Sequence, residues 1–587
     1  MLDYTPPSDD LKFVLNDVLD VAQYSTLPSF ESIDADLVAS TIEAFGDFAA
    51  RELAPLNAEG DRVGAALKPD GVESAPGFAD AYRTYVAGGW PALVADPEHG
   101  GDGMPAFLQS VLEEILAGSN MAFAMAPLTA PGAYRVLNHS ASAAIKNTYL
   151  APIASGRWGT AMSLTEAQGG SALALLRTRA EPNDDGSYRI TGTKIFNSWG
   201  DHDMAENIVH LVLARLPEAP AGTKGISLFV VPKYLPGENG DLGERNAFSV
   251  GSLEKKMGLH ASPTCVTNFD GATGYLVGTE HKGMAAMFII MNSMRLATGS
   301  CAIGIADAAY HNALAYARER VAARSLTGTK YPDLPGDPII VQPDVRRMLM
   351  TQKALVEGGR ALCYWVAVRL SLSETHPDLD ERRDHDATVS LLTPVVKAFL
   401  SDKGFESADL ALQCFGGHGY VQDNGAEQYL RDIRMLRIGE GTSGIQAMDF
   451  IGRKTLADNA RTLNQYLDTV RQDVTALPSE LVDIAHAVTH ALDTVTQITK
   501  SELAQWKQDP ETMGAIALDY LHMVGYVALG HMWAKMAATN SSDVERVRNK
   551  QRTARYYCAH LLPEIETLAH RVRAGGATTM AIPDGEF

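Results

Sequence analysis

The chain has 587 residues, 46% of them hydrophobic and 21% charged, and its 50 Lys and Arg against 71 Asp and Glu leave a net charge of −21. That length exceeds a single domain several-fold and requires several packed units. The composition excludes a disordered or collagen-like chain, and the negative field disfavours nucleic acid as a partner, because it repels a phosphate backbone. Five singly scattered cysteines, Cys265, Cys301, Cys363, Cys414 and Cys558, point away from a disulfide framework or CxxC metal site and toward a reducing cytoplasm.

Residues 1–33 form a Pro-punctuated extension with no basic segment leading into an apolar one, unlike a secretory signal. Residues 34–158 carry helical spacing, as in Phe107, Val111, Glu114 and Ile115, and predict an N-terminal helical domain. Between 159 and 282 the texture changes to short apolar or alternating runs such as SYRITGTKIF, NIVHLVLARL and GISLFVVPKY, which predict a middle β domain. Helical patterns return over 283–456 and again over 457–587. There Asp509-Pro510 reads as an N-cap with a first-turn proline, and Leu481, Ile484, Ala485, Val488, Leu492 and Val495 make one apolar face. The expected fold class is mostly α with a central β domain. The apolar stretch beginning GMAAMFIIM is interrupted by Asn292 and Arg295, so it reads as a buried helix and not as a membrane span. LTGTKYPDLPGDPIIVQPD reads as a structured loop.

No GxGxxG follows a strand, and no GxxxxGK[ST], HExxH or paired Cys/His spacing occurs, so a Rossmann site, a P-loop and a metal centre are not expected. The SxxK at Ser252 and Lys255 is a chance match without companion motifs. The acidic run DLDERRDHD reads as a solvated face. Four other segments carry chemistry. MSLTEAQGGSA (162–172) supplies a hydroxyl, a glycine pair and Ser171 for close approach to a flat polar ring. TGTKIFNSWG (191–200) follows it after a hairpin. ALQCFGGHGY (411–420) packs three glycines into four positions. RDIRMLRIGEGTSGIQ sets Glu440 between Gly439 and Gly441, where a carboxylate on a permissive loop can act as a general base. Ser443 and Gln446 read as a capping box for a helix that turns Ile445, Met448 and Ile451 inward.

These segments, in this order, resemble those of the acyl-CoA dehydrogenase family, and the additional C-terminal helices resemble its large branch. The resemblance implies an N-terminal helical domain, a middle β-barrel, a four-helix bundle and an added helical domain. It implies α,β-dehydrogenation of an acyl-CoA thioester with FAD: a base removes the α-proton while a hydride leaves the β-carbon for the flavin. Glu440 matches the base. Met294, standing where some other branches carry the base, cannot serve. Met162, Leu164, Thr165, Gly170, Ser171, Phe196, Ser198 and Thr442 match flavin-binding positions, and Arg320, Gln413, Gly416 and Gly417 match positions reaching the flavin of a neighbouring subunit, so the resemblance implies a homodimer. Ser171, Arg295 and Gly441 match substrate-side positions. A short acyl group is expected, with 3-methylmercaptopropionyl-CoA and butanoyl-CoA as candidates, an electron-transfer flavoprotein as acceptor, and no nucleic-acid or membrane partner. An acyl-CoA oxidase and a non-catalytic scaffold are the alternatives on the same fold. Five residues depart from the family pattern: Ala172, Asn197, Trp199, Ala322 and Gly439.

Overall fold

The computed structural model describes residues 2–237 and 241–587. Two compact units emerge, one of Met1–Gly46, Ser110–Glu114 and Thr298–Phe587, the other of Asp47–Gln109 and Ile115–Ala297. In chain order, the leader contributes α1 (Ser8–Lys12) and α2 (Ala35–Phe48). Then come α3 (Ala54–Val63), a small hairpin of β1 (Ala66–Lys68) and β2 (Gly71–Glu73), α4 (Phe78–Ala87), α5 (Ala106–Ala124), α6 (Ala130–Ser140) and α7 (Ala143–Ala154).

The β region of the second unit comprises β3 (Trp158–Ser163), β4 (Arg179–Pro182), β5 (Tyr188–Ser198), β6 (Asn207–Arg215), β7 (Ile226–Pro232), the short pair β8 (Tyr234–Pro236) and β9 (Leu242–Arg245), β10 (Phe248–Leu253) and β11 (Thr264–Val277). Pairing runs β11 to β5, β5 to β4, β4 to β6, β6 to β7 and β7 back to β11. Five strands thus close a ring, and β3 and β10 extend it from β6 and β11. Closure buries β7 on both faces and nearly all of β6, which explains why both read as near-continuous apolar runs. Ile190, Val212, Phe229, Val231, Phe248 and Phe269 fill the interior.

The helix α8 (Gly283–Glu319) follows, then α9 (Pro343–Thr375), α10 (Leu379–Phe415), α11 (Ala426–Leu436), α12 (Ser443–Met448), α13 (Arg461–Thr475), α14 (Val482–Gln508), α15 (Pro510–Ala538), α16 (Val544–Tyr556) and α17 (Glu564–Ala574). Asp509 caps α15, its carboxylate accepting the Thr512 N–H at 3.0 Å, and Asp378 caps α10 within the acidic run. α8 and α15 are each long and apolar enough to cross a membrane by length and composition, yet 72% and 67% of their most apolar windows are buried inside the protein. Helices approach closely where glycine permits it: a Cβ on Gly525 of α15 would collide with the Phe399 ring of α10. The loop after α8 is ordered around Asp337, whose carboxylate accepts the N–H groups of Ser325, Lys330 and Tyr331, as the sequence reading expects of a structured loop.

The leader is packed and not extended. Leu11, Phe13, Val14 and Leu15 are buried, and Asp10 joins a buried charge cluster. Arg360 of α9 donates to Asp10 at 2.7 Å, to Glu114 at 2.7 Å and to Asp307 at 2.6 Å, and Lys550 of α16 bridges Asp10 and Glu357. All these partners lie in the first unit.

Candidate active site

In the first unit the chain leaves α11 through the N–H groups of Ile438 and Gly439, which share the Met435 carbonyl. The next residues form a closed loop. The Ser443 N–H returns to the Arg437 carbonyl at 3.3 Å, and Glu440 stands at the apex, three residues from either foot. Glu440 has φ +56° and Gly441 φ +92°, left-handed backbone that a non-glycine residue adopts at a cost of about 1–3 kcal/mol and keeps only when its surroundings hold it. They do so at three points. Gln446 Nε2 donates to the Glu440 carbonyl at 2.9 Å, the buried Lys397 Nζ donates to the Gly441 carbonyl at 2.5 Å, and the Asp402 carboxylate of α10 accepts Arg437 Nε at 2.6 Å and the Ser443 hydroxyl at 3.0 Å. The Glu440 side chain is half-buried.

The cap of the following helix differs from the sequence reading. Thr442, and not Ser443, is the N-cap, its hydroxyl accepting the Ile445 N–H at 3.3 Å, while Ser443 sits inside the helix and its hydroxyl donates to Asp402. Gln446 turns back to the Glu440 carbonyl instead of closing a capping box. The helix face shifts accordingly. Ile445 and Met448 are 39% and 37% exposed, whereas Gln446, Ala447 and Ile451 are buried.

The second unit brings the first two motifs side by side. The Ile195 N–H donates to the Thr165 carbonyl at 2.9 Å, and the buried Lys194 donates to the Leu164 carbonyl at 3.1 Å and to the Glu166 carboxylate at 2.8 Å. Glu166 also accepts the Thr178 hydroxyl at 2.6 Å and the Arg177 N–H at 2.7 Å. Burial alone would raise its pKa, but the Lys194 charge and these hydrogen bonds outweigh it and hold the carboxyl at about 2. Burial lowers Lys194 to about 8. Opposite β11, β5 carries one extra residue between Lys194 and Asn197, a bulge of the kind that re-aims a side chain. Phe196, with φ +55°, lies there and is 61% exposed, a large apolar ring left outside an otherwise filled barrel. Ser171 and Gly170 are exposed, and Met162, Leu164, Thr165 and Ser198 are partly so.

The end of α8 and the GGHGY turn share one surface of the first unit. Tyr316 packs its ring 4.6 Å from Phe415, and its hydroxyl lies 3.2 Å from His418 Nδ1. Arg320, Gln413, Gly416 and Gly417 are exposed there, with nothing within 4 Å of a Cβ built on either glycine. Arg295, in the second unit, is 5% exposed, with its guanidinium 6.0 Å from the Phe288 ring.

This donor set fits a flavin. The hydroxyls of Thr165, Ser171 and Ser198 and the local backbone N–H groups suit the polar edge of the isoalloxazine ring, and Phe196 offers an uncovered aromatic face. The comparisons with known proteins agree. The chain matches the acyl-CoA dehydrogenase N-terminal domain over 39–157, the middle domain over 161–272 and the C-terminal domain over 281–456, followed by an acetyl-CoA dehydrogenase C-terminal-like domain over 456–583. It is 38% identical to the 3-methylmercaptopropionyl-CoA dehydrogenase of Ruegeria pomeroyi, with 98% of each chain covered. The chain belongs to the acyl-CoA dehydrogenase family. It is 30% identical to a butyryl-CoA dehydrogenase of Syntrophomonas wolfei, again with 98% of each chain covered. Its fold matches an acyl-CoA dehydrogenase from Bacillus anthracis complexed with FAD at a TM-score of 0.73 and 20% identity, covering 96% of this chain and 91% of that one. Acyl-CoA dehydrogenases are FAD-dependent oxidoreductases, and this chain is an enzyme of that kind.

Three departures from the family pattern have structural reasons. Asn197 points into the barrel, donating to the Ser163 hydroxyl at 2.7 Å within a buried cluster that includes His210 and Thr267. Trp199, 1% exposed, packs against Phe78 and edge-on against His202. Gly439 lies against Met435, whose sulfur would be 2.8 Å from a Cβ there. Nothing in the structure explains Ala172 or Ala322. Sequence reasoning missed Glu166, Lys194, Lys397 and Asp402, which hold the two motifs in shape. Only burial and pairing reveal them among 71 acidic and 50 basic residues.

Proposed function

We propose that this acyl-CoA dehydrogenase acts on a short acyl group, with 3-methylmercaptopropionyl-CoA, converted to its 2-enoyl-CoA, as the first candidate and butanoyl-CoA as the second. Support comes from two relatives, matched over almost their full length, whose names specify these two short thioesters. Glu440 is the base, and its position at the apex of a loop held at both feet and both carbonyls carries the reading. An α-proton of a thioester is very weakly acidic, so the carboxylate must be fixed within reach of it and shielded from water. In this reading the Glu440 carboxylate accepts the α-proton, and the Glu440 N–H polarises the thioester oxygen on which charge develops. Gly441 lies on the substrate side, beside that oxygen. FAD, when bound, accepts the hydride that leaves the β-carbon. Met162, Leu164, Thr165, Gly170, Ser171, Phe196, Ser198 and Thr442 hold it, and Arg320, Gln413, Gly416 and Gly417 reach the cofactor of a second copy in a homodimer. Ser171 and Arg295 lie on the substrate side. An electron-transfer flavoprotein takes the electrons onward, and the free cysteines suit a cytoplasmic setting.

The test is an anaerobic flavin spectrum during addition of 3-methylmercaptopropionyl-CoA or butanoyl-CoA. The wild type should bleach, and Glu440→Gln should bleach about 10²–10⁴-fold more slowly, the span expected for loss of a general base. Steady release of hydrogen peroxide without an added acceptor would instead identify an oxidase. Wild-type bleaching by Glu440→Gln would remove Glu440 from the mechanism.

A further inference from the structure

The carboxylate at the feet of the Glu440 loop has a third partner. Asp402 directs one oxygen, Oδ1, to Arg437 and Ser443, and the other, Oδ2, lies 3.0 Å from His522 Nε2. His522 belongs to α15, within the C-terminal segment that follows the bundle. Its ring stands edge-on to Phe399 of α10, at 5.4 Å and 90°. Asp402 and His522 are 7% and 16% exposed, so the carboxylate finds few competing donors in water. Rotation about the Asp402 Cβ–Cγ bond moves both oxygens, so every gripped oxygen restrains it, and loss of the His522 contact would leave only the two Oδ1 partners to hold the carboxylate plane. The grip fixes the distance between Arg437 and Ser443, the two feet of the loop, and with it the left-handed backbone at Glu440.

We propose that His522 is a positioning residue for the base, acting through Asp402. It never touches substrate or cofactor. The added C-terminal segment thereby sets the geometry of proton abstraction instead of merely enlarging the protein. The proposal rests on Glu440 being the base. Misplacement of a reacting group by about 1 Å costs on the order of 10²-fold in rate, so loss of the grip should appear in kcat and leave ground-state binding nearly intact.

The experiment compares purified flavin-loaded wild type, His522→Leu, His522→Gln and Glu440→Gln with butanoyl-CoA and an artificial electron acceptor. His522→Leu should lower kcat by about 10–100-fold with KM within about twofold, and should enlarge the isotope effect of α-deuterated butanoyl-CoA as proton removal becomes limiting. His522→Gln, whose amide nitrogen can donate to Asp402, should keep kcat within about threefold of wild type. A wild-type kcat in His522→Leu, or equal losses in the Leu and Gln variants, would overturn the proposal. If His522→Leu does not fold, His522→Ala with added imidazole takes its place: recovery of kcat supports the positioning role, and no recovery overturns it. An active Glu440→Gln would overturn the base assignment itself. An inactive Glu440→Gln beside a fully active His522→Leu would overturn the positioning role alone.

Discussion

At the scale of the residue, the decisive feature is backbone conformation at two positions. Glu440 and Gly441 both have positive φ, and a Cβ on Gly441 would lie 2.9 Å from Gln446 Nε2, the group that holds the Glu440 carbonyl. Gly441→Ala should therefore lower kcat far more than it lowers thermal stability. Its strain of about 1–3 kcal/mol falls on the loop, and rapid-mixing measurement of flavin bleaching beside a melting curve separates the two effects. The sequence places Glu440 between two glycines, and that much of the site is legible from local spacing. The clamp is not. Asp402 lies 35 residues before Arg437, inside a helix where a single aspartate carries no periodic or motif signal, and only the fold brings it to the loop.

At the scale of the element, the 162–172 segment and β5 are joined by a buried ion pair, Glu166 with Lys194. The strands themselves are legible, because closed-ring burial imposes apolar runs on β6 and β7. The bulge at Phe196 is hidden, because it depends on one extra residue relative to β11. Lys194→Met would leave Glu166 buried without its cation, a change expected to cost about 3–5 kcal/mol and to weaken flavin retention, read as free flavin after gel filtration. The pH dependence follows from the sign of the shift. The Glu166 carboxyl is held at about 2 against an ordinary 4.5, so its stabilisation is complete above about pH 4.5 and lost progressively as the pH falls toward 2. In Lys194→Met that acid-dependent loss should be shallower, as chemical unfolding at a series of pH values between 5 and 3 would show.

At the scale of the whole molecule, the order α, β, α, α is readable from periodicity, because long amphipathic helices and short β runs differ in period. The leader is less legible. Its prolines suggest a loose extension, yet Leu11, Phe13, Val14 and Leu15 pack away from water, and Asp10 pairs with Arg360 and Lys550. Those cations hold the Asp10 carboxyl well below its ordinary range despite burial. Asp10→Asn should destabilise the protein by about 3 kcal/mol, the scale of removing one partner from a buried pair. It should leave the flavin half-reaction at low temperature close to wild type, and melting curves with stopped-flow bleaching on the same samples check both.

That pairing also has a consequence in time. Asp10 and Lys550 are separated by 540 residues, so at about 5–20 residues per second a ribosome needs roughly half a minute to two minutes to deliver the second after the first. Throughout that interval the nascent leader carries a carboxylate and several apolar side chains whose final partners are still being translated. A message truncated shortly before the codon for Lys550 would therefore yield a chain faulty at its beginning as well as at its end.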